Sequence, residues 1–176
     1  MRECKSFLIV IALIFAPNTV HAGEKIVFIE GSFSGKAGET IELLKSSDKP
    51  LHIGDRGGYI ADIPEAHFDK NAPFGYGWRF TIDGAINEIT LSVTMYSLTQ
   101  AYGCSTVISL NGEKIKDLSL LRDAGDWRDA SYCITLNLKH IREGLNEIKI
   151  EEEQCRKTYR PAWNDSLIKE LRLELK

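Results

Sequence analysis

Apolar and polar positions alternate along several short stretches of this chain. In Glu88–Tyr96 (EITLSVTMY), the apolar side chains at 89, 91, 93 and 95 fall on one face, and Thr and Ser occupy the other. Ile168–Leu175 ends in the same way, with Leu171, Leu173 and Leu175 on the apolar face. Successive side chains of a β-strand point to opposite faces, so this period predicts strands that are buried on one side.

Eight such strands are predicted, separated by Gly-, Asp- and Asn-rich breaks that include the turn signals Asp83-Gly84 and Asn111-Gly112. They are Ile26–Phe33, Glu39–Leu44, Trp78–Ile82, Glu88–Tyr96, Thr106–Leu110, Tyr132–Leu138, Leu145–Glu151 and Ile168–Leu175. Only Lys114–Arg122 has a pattern that would suit a helical turn or two, and residues 45–77 form a long irregular segment. The predicted class is all-β: a two-sheet antiparallel β-sandwich, or jelly roll, of about eight strands.

Residues 1–22 have the pattern of a secretory signal peptide. Arg2 and Lys5 precede an apolar run over 7–16, and the Val-His-Ala sequence at 20–22 is typical of a cleavage site. The apolar run is shorter than the roughly 20 residues that a membrane span needs, and no later segment approaches that length. We therefore expect export, to the periplasm or the exterior, of one domain over 23–176 with no membrane span.

The net charge and the cysteines argue against a nucleic-acid-binding protein and a zinc site. A net charge of −3 gives no basic surface for nucleic acid. Cys4 would leave with the signal peptide, so Cys104, Cys133 and Cys155 remain, and in an oxidising compartment two of them are expected to pair. There is no Cys/His cluster with the spacing of a zinc site.

Catalytic motifs are absent from the sequence. It contains no G-x-S-x-G, H-E-x-x-H or Gly-rich phosphate loop. His67 and Asp69 have the chemistry of an acid–base pair, but such runs of charge are usually solvated loops. The triplet Glu151-Glu152-Glu153 is interpreted as a solvated strand end. We therefore predict that the protein is not an enzyme.

From Glu88 onward the order of segments resembles the galactose-binding-like β-sandwich, a jelly roll that is similar to many carbohydrate-binding modules. The resemblance rests on EITLSVTMYSL, TVISLNGEKI, YCITLNL, IREGLNEIKIEEE and NDSLIKELRLEL, the fourth of which contains a G-x-N-x-I-x-I strand. It covers 88–176. Residues 23–87 carry no motif of the family.

The resemblance implies a topology in which the loops at about 54–77, 97–103, 124–131 and 154–166 meet at one end of the sandwich. Sugar binding needs a flat aromatic face for the apolar side of a pyranose and polar groups for its hydroxyls, and these loops contain both. The candidate ligand-binding residues are Arg56, Tyr59, Tyr76, Tyr102, Asp126, Trp127, Tyr159, Arg160 and Trp163. For Trp78 and Trp127 the alternative is a place in the core, whereas Trp163 follows Pro161 in a polar loop and is the aromatic expected to be exposed.

The same resemblance implies a structural calcium site and a disulfide. Glu30 and Asp165 are the candidate calcium ligands, and calcium is the only cofactor considered. The implied disulfide joins Cys104 to Cys155, because their strands would be antiparallel neighbours, and it leaves Cys133 free. Pairing of Cys104 with Cys133 is the alternative.

Together these features predict a secreted, non-catalytic binding module that recognises a glycan through loops at one end of the sandwich. The alternative is a protein–protein interaction domain of the cell envelope, such as an adhesin component, an inhibitor or an accessory subunit.

Overall fold

The computed structural model of the protein describes residues 26–53, 73–96, 105–118, 129–153 and 166–176. The predicted signal peptide lies outside these residues. The strands are β1 (Ile26–Phe28), β2 (Phe33–Lys36), β3 (Thr40–Leu44), β4 (Leu51–Ile53), β5 (Gly75–Asp83), β6 (Ile89–Tyr96), β7 (Ser105–Leu110), β8 (Glu113–Asp117), β9 (Asp129–Thr135), β10 (Gly144–Glu153) and β11 (Ser166–Leu175). The described helical structure is one turn of 3-10 helix, Leu138–His140. The all-β class is confirmed.

Two sheets form the sandwich, as predicted. In the first, the strand order is β1-β5-β10-β7-β8, with β2 also paired to β5; in the second it is β3-β11-β6-β9, with β4 also paired to β11. The antiparallel sandwich is confirmed, with one difference at an edge, where β1 and β2 both run parallel to β5. Every other strand pair is antiparallel.

The core lies between the sheets and follows the alternation in the sequence. The four apolar positions of β6 are all buried, and the intervening Thr and Ser side chains are half-buried. Strand β11 buries Leu171, Leu173 and Leu175 and leaves Arg172 and Glu174 half-buried on the other face. Strand β5 contributes Trp78 and Phe80, the largest fully buried side chains. The period of two therefore identified the buried face correctly.

Eleven strands are described where about eight were predicted. The segment predicted as one strand over Ile26–Phe33 is interrupted over residues 29–32, and β4 lies inside the segment predicted to be irregular. The predicted helical turn at Lys114–Arg122 is wrong over its first residues, where β8 pairs with β7. The reason is the Asn111-Gly112 turn, whose φ angles of 53° and 88° are typical of a two-residue hairpin.

Two glycines of β5 lie where the packing is close. At Gly75 a Cβ atom would lie 2.6 Å from the backbone oxygen of Ile150, and at Gly77 it would lie 2.6 Å from Cε1 of Phe28. The first neighbour is backbone within the sheet, whereas the second is an aromatic side chain that can move. The ring of Phe28 thus lies against the outer face of β5, where the guanidinium carbon of Arg79 is 4.2 Å from the ring centre.

Asn146 fixes the connection that precedes β10. Its Oδ1 accepts hydrogen bonds from the backbone N–H of Arg142 (2.8 Å) and from Nδ2 of Asn111 (2.8 Å). Its Nδ2 donates to the carbonyl oxygens of Arg142 (2.9 Å) and Gly144 (3.1 Å). This fully buried amide is the Asn of the G-x-N-x-I-x-I motif, so at this position the motif has a structural role.

No helix in the described ranges is both long and apolar enough to span a membrane.

Candidate binding end of the sandwich

The strand ends next to residues 54–72, 97–104, 119–128 and 154–165 lie together at one end of the sandwich. In the second sheet, Tyr96 pairs with Leu167 and with Asp129, and Ile53 pairs with Ser166. In the first sheet, Ser105 pairs with Glu153, and the N–H of Glu152 donates to the carbonyl of Phe74. Leu118 belongs with them, because its N–H donates to the carbonyl of Thr106.

The two sheets share these ends because short connections join them at the opposite end. Residues 84–88 link the end of β5 to the start of β6, and residues 136–143 link β9 to β10. We call the end that holds Ile53, Tyr96, Ser105 and Ser166 the upper end, and the opposite one the lower end. The predicted strand directions are confirmed, and the chain leaves and returns at the upper end on either side of 54–72, 97–104, 119–128 and 154–165.

Most of the candidate ligand-binding residues lie outside the described residues. This set comprises Arg56, Tyr59, Tyr102, Asp126, Trp127, Tyr159, Arg160 and Trp163. Their role in binding stays a prediction.

Tyr76 is the candidate that the structure describes. It lies in the second position of β5, close to the upper end, and pairs with Ile150 of β10. Its side chain is half-buried, and its ring centre lies 6.5 Å from that of Trp78, with the ring planes at 44°. Trp78 itself is fully buried, which confirms the core alternative for this residue. Tyr76 and Trp78 therefore form an aromatic pair, in which Trp78 lies in the core and Tyr76 lies nearer the upper end.

Glu152 is a buried residue that the sequence interpretation missed. The residue is 9% exposed, and its Oε1 accepts a hydrogen bond of 2.6 Å from Oγ1 of Thr106, the residue directly opposite on β7. The interpretation of Glu151-Glu152-Glu153 as a solvated end is therefore wrong for its middle residue. Ile148 and Ile150 are buried at alternate positions of β10, and the same period places Glu152 on the inner face. That alternation was the signal that could have identified it.

Polar burial is concentrated at the upper end. His52, next to the last residue of β4, and Ser166, the first residue of β11, are buried there together with Thr106 and Glu152. Buried polar groups stabilise a fold only when they are hydrogen-bonded, and a hydrogen bond to a charged acceptor is stronger than one between neutral groups. The Thr106–Glu152 bond thus ties β7 to β10 where both strands meet the candidate binding segments.

Of the two predicted calcium ligands, Glu30 lies within the described residues and Asp165 lies outside them. Glu30 is exposed and follows β1, in the first sheet, whereas Ser166, next to Asp165 in sequence, begins β11 in the second sheet. Within the described ranges, no group of three His, Cys, Asp or Glu side chains could hold a metal ion. The calcium site stays a prediction.

Of the three cysteines in the predicted domain, only Cys133 lies within the described residues, and Cys104 and Cys155 lie outside them. Cys133 has an exposed free thiol on β9, and its Sγ lies 3.7 Å from the Oγ of Ser92. It is on the outer face of the sheet opposite to β7, which disfavours pairing with Cys104. In contrast, β7 and β10 are antiparallel neighbours, with Ser105 opposite Glu153. Cys104 directly precedes Ser105, and Cys155 follows Glu153 by two residues, so the predicted Cys104–Cys155 disulfide would lie next to this strand pair.

No protein-family model matches the chain, and no curated protein matches it. Among solved structures, a family 35 carbohydrate binding module from Clostridium thermocellum is 17% identical, with a TM-score of 0.36, over 55% of this chain and 66% of that one. A sugar-binding protein, the EclA C-terminal domain, is 15% identical, with a TM-score of 0.38, over 83% and 81%. The insecticidal delta-endotoxin Cry8Ea1 from Bacillus thuringiensis is 10% identical, with a TM-score of 0.40, over 84% and 26%.

The chain thus spans just under two thirds of the length of the carbohydrate binding module and about a quarter of the toxin. Its ligand, activity and partners are therefore inferred from its own residues.

Proposed function

We propose that this protein is a secreted, non-catalytic glycan-binding module whose ligand binds at the upper end of the sandwich. The main support is the arrangement of strand ends, because β4, β6 and β10 end at this one end of the sandwich and β5, β7, β9 and β11 begin there. Loops positioned by a rigid scaffold are where such folds usually bind ligands. Export to the periplasm or the exterior follows from the signal-peptide pattern of 1–22.

The composition of the four segments favours a sugar as the ligand. They contain Trp127 and Trp163 together with tyrosine, arginine, aspartate and asparagine side chains. An aromatic ring covers the apolar face of a pyranose, and the charged and amide groups bond its hydroxyls. Trp163 is the residue we propose as the main stacking platform, because it lies in a polar segment after Pro161.

The paired strand ends at the upper end form a base for the proposed site. The hydrogen bond between Thr106 and Glu152 joins β7 to β10 beneath the proposed site. The predicted Cys104–Cys155 disulfide would join the segment before β7 to the segment after β10. Ordering of loops before binding reduces the entropy lost when a ligand binds. A calcium ion held by Asp165 and Glu30 would be a further element of that support.

The proposal is tested by glycan-array screening and affinity electrophoresis of the mature protein. We expect a glycan ligand whose binding is lost in Trp163→Ala and retained in Leu145→Ala. Leu145 is a suitable control because it is 59% exposed and lies at the lower end. Circular dichroism must show that both variants are folded. Absence of any glycan ligand, together with a co-purifying envelope protein, would overturn the proposal and favour a protein-interaction domain.

A further inference from the structure

A groove of about 660 Å³ lies at the lower end of the sandwich, far from the proposed glycan site. It is formed by the connection after β5 and by the connection between β9 and β10. Its apolar lining comes from Ile82, Ile86, Leu138 and Ile141, and Asp83 and Glu143 are also lining residues. Small-molecule sites have volumes of about 300–1,000 Å³ and combine an apolar lining with a few polar groups. The groove therefore has the size and composition of such a site.

Hydrogen bonds hold both walls of this groove in place. On one side, Asn146 fixes the backbone of Arg142 and Gly144, as described above. On the other side, the N–H groups of Asn87 and Glu88 donate to the carbonyl of Lys176, at 2.7 and 3.1 Å. A preformed groove loses little conformational entropy when it binds a ligand.

The groove has a net negative charge, because two of its lining residues are acidic and one is basic. Neither Asp83 nor Glu143 takes part in a salt bridge within the described residues. Arg142 also lines the groove, and its Nη2 donates to the carbonyl oxygen of Asn111 at 3.2 Å. The three side chains together carry a formal net charge of −1, from two carboxylates and one guanidinium.

Apolar exposure is concentrated at the same place. Leu138 and Leu145 are the exposed large hydrophobic residues of the described chain, at 37% and 59%. Leu138 lines the groove, and Leu145 follows Gly144, another lining residue. Leu138 was predicted to be the last residue of a strand, but the strand ends at Thr135 and Leu138 begins the 3-10 helix instead. The end of β9 thus places an aliphatic side chain in the groove.

We propose that this groove is a second binding site, for a small organic cation with an apolar body, such as an alkylammonium ion. The aliphatic lining would remove the hydrocarbon part from water, at about 25 cal/mol per Å² of apolar surface. The ammonium group would lie near Asp83 and Glu143, where the charges are complementary. This site is independent of the proposed glycan function, because it lies at the opposite end of the sandwich.

The test is a titration of the ¹⁵N-labelled protein with hexylammonium chloride, followed through the amide signals of Gly84 and Gly144. Hexan-1-ol and sodium hexanoate are the matched probes, since they keep the hydrocarbon body and change the charge. We expect saturable shifts with hexylammonium, weaker binding of hexanol and the weakest binding of hexanoate. Equal binding of hexanoate and hexylammonium, or no saturable shift, would overturn the proposal.

Variants separate the groove from general surface charge. Asp83→Asn and Glu143→Gln are each expected to weaken hexylammonium binding about 1.4- to fivefold, the range for exposed ion pairs. Glu113→Gln is the control, because Glu113 is an exposed carboxylate at the same end that does not line the groove. A loss of affinity in the control as large as in the two variants would also overturn the proposal. Thermal unfolding checks that each variant is folded.

Discussion

Replacement of Asn146 by alanine tests whether one buried amide holds the connection between β9 and β10. The substitution removes all four side-chain hydrogen bonds of Asn146. It also leaves the amide of Asn111 with two partners, the carbonyl of His140 and the N–H of Glu147. The change therefore affects the start of β10 and the β7–β8 turn together.

The expected cost follows from the number and exposure of these bonds. A hydrogen bond contributes about 0.5–1.5 kcal/mol net, so four would contribute about 2–6 kcal/mol. Arg142 and Gly144 are exposed, and their backbone groups can bond to water in the variant, which lowers the cost. We therefore expect Asn146→Ala to reduce the free energy of unfolding by about 2–4 kcal/mol.

Urea denaturation measures this loss as a lower midpoint at an unchanged slope. The matched control is Asn137→Ala, an exposed asparagine whose side chain accepts one bond of 3.1 Å from the N–H of Lys139. Its expected cost is about 0.5–1.5 kcal/mol. A double-mutant cycle with Asn111→Ala should show a coupling, because the two side chains are in contact. A loss in Asn146→Ala no larger than in the control would refute this account of the network.

Three further predictions concern β5, the cysteines and one ion pair. Gly75→Ala should lower the free energy of unfolding, measured by urea denaturation, by about 1–3 kcal/mol. The loss should be larger than for Gly77→Ala, since only at Gly75 would the new Cβ meet backbone, and equal losses would contradict this. Non-reducing peptide mapping should recover a Cys104–Cys155 peptide, whose bond should stabilise the fold by about 3–4 kcal/mol; recovery of three alkylated thiols would contradict it. A ¹³C NMR titration should give Glu88 a pKa below the ordinary value of a glutamate, because its lysine partner donates a hydrogen bond and attracts the carboxylate. This stabilisation is present at pH values above the ordinary pKa and is lost as the pH falls through the lowered one, and an unshifted pKa would contradict the pair.

The alternating pattern was sufficient to predict the fold class and the buried faces of the long strands. In β6 one face meets the core along the whole strand, and in β11 one face does so over Leu171–Leu175, so a one-residue shift there would bury polar groups. The Asn111-Gly112 turn was also readable, because few sequences allow two successive left-handed residues.

The short strands were not predictable in the same way. Strand β4 has three residues and β8 has five, and neither length establishes a period. The pairing of β8 is decided by the hairpin turn before it, and the parallel pairing of β1 and β2 with β5 is decided by tertiary packing. Glu152 was predicted to be exposed because of its residue type, but its position on the inner face of β10 makes it buried.

For the candidate site, strand direction was the predictable part. The directions follow from short connections and from the resemblance from Glu88 onward, and the structure confirms them through the pairs at the upper end. The roles of individual loop residues depend on side-chain positions that no period or spacing specifies. Tyr76 could be located because it belongs to a strand.

The central claim, that a glycan binds at the upper end, is tested most directly by mapping the bound glycan on the ¹⁵N-labelled protein. The account predicts that the glycan found by array screening shifts the amide signals of the flanking strand ends, at Ile53, Tyr96, Ser105 and Ser166. The signals of Gly84 and Gly144 at the lower end should stay unchanged. Shifts confined to the lower end or to the outer faces of the sheets would contradict the claim.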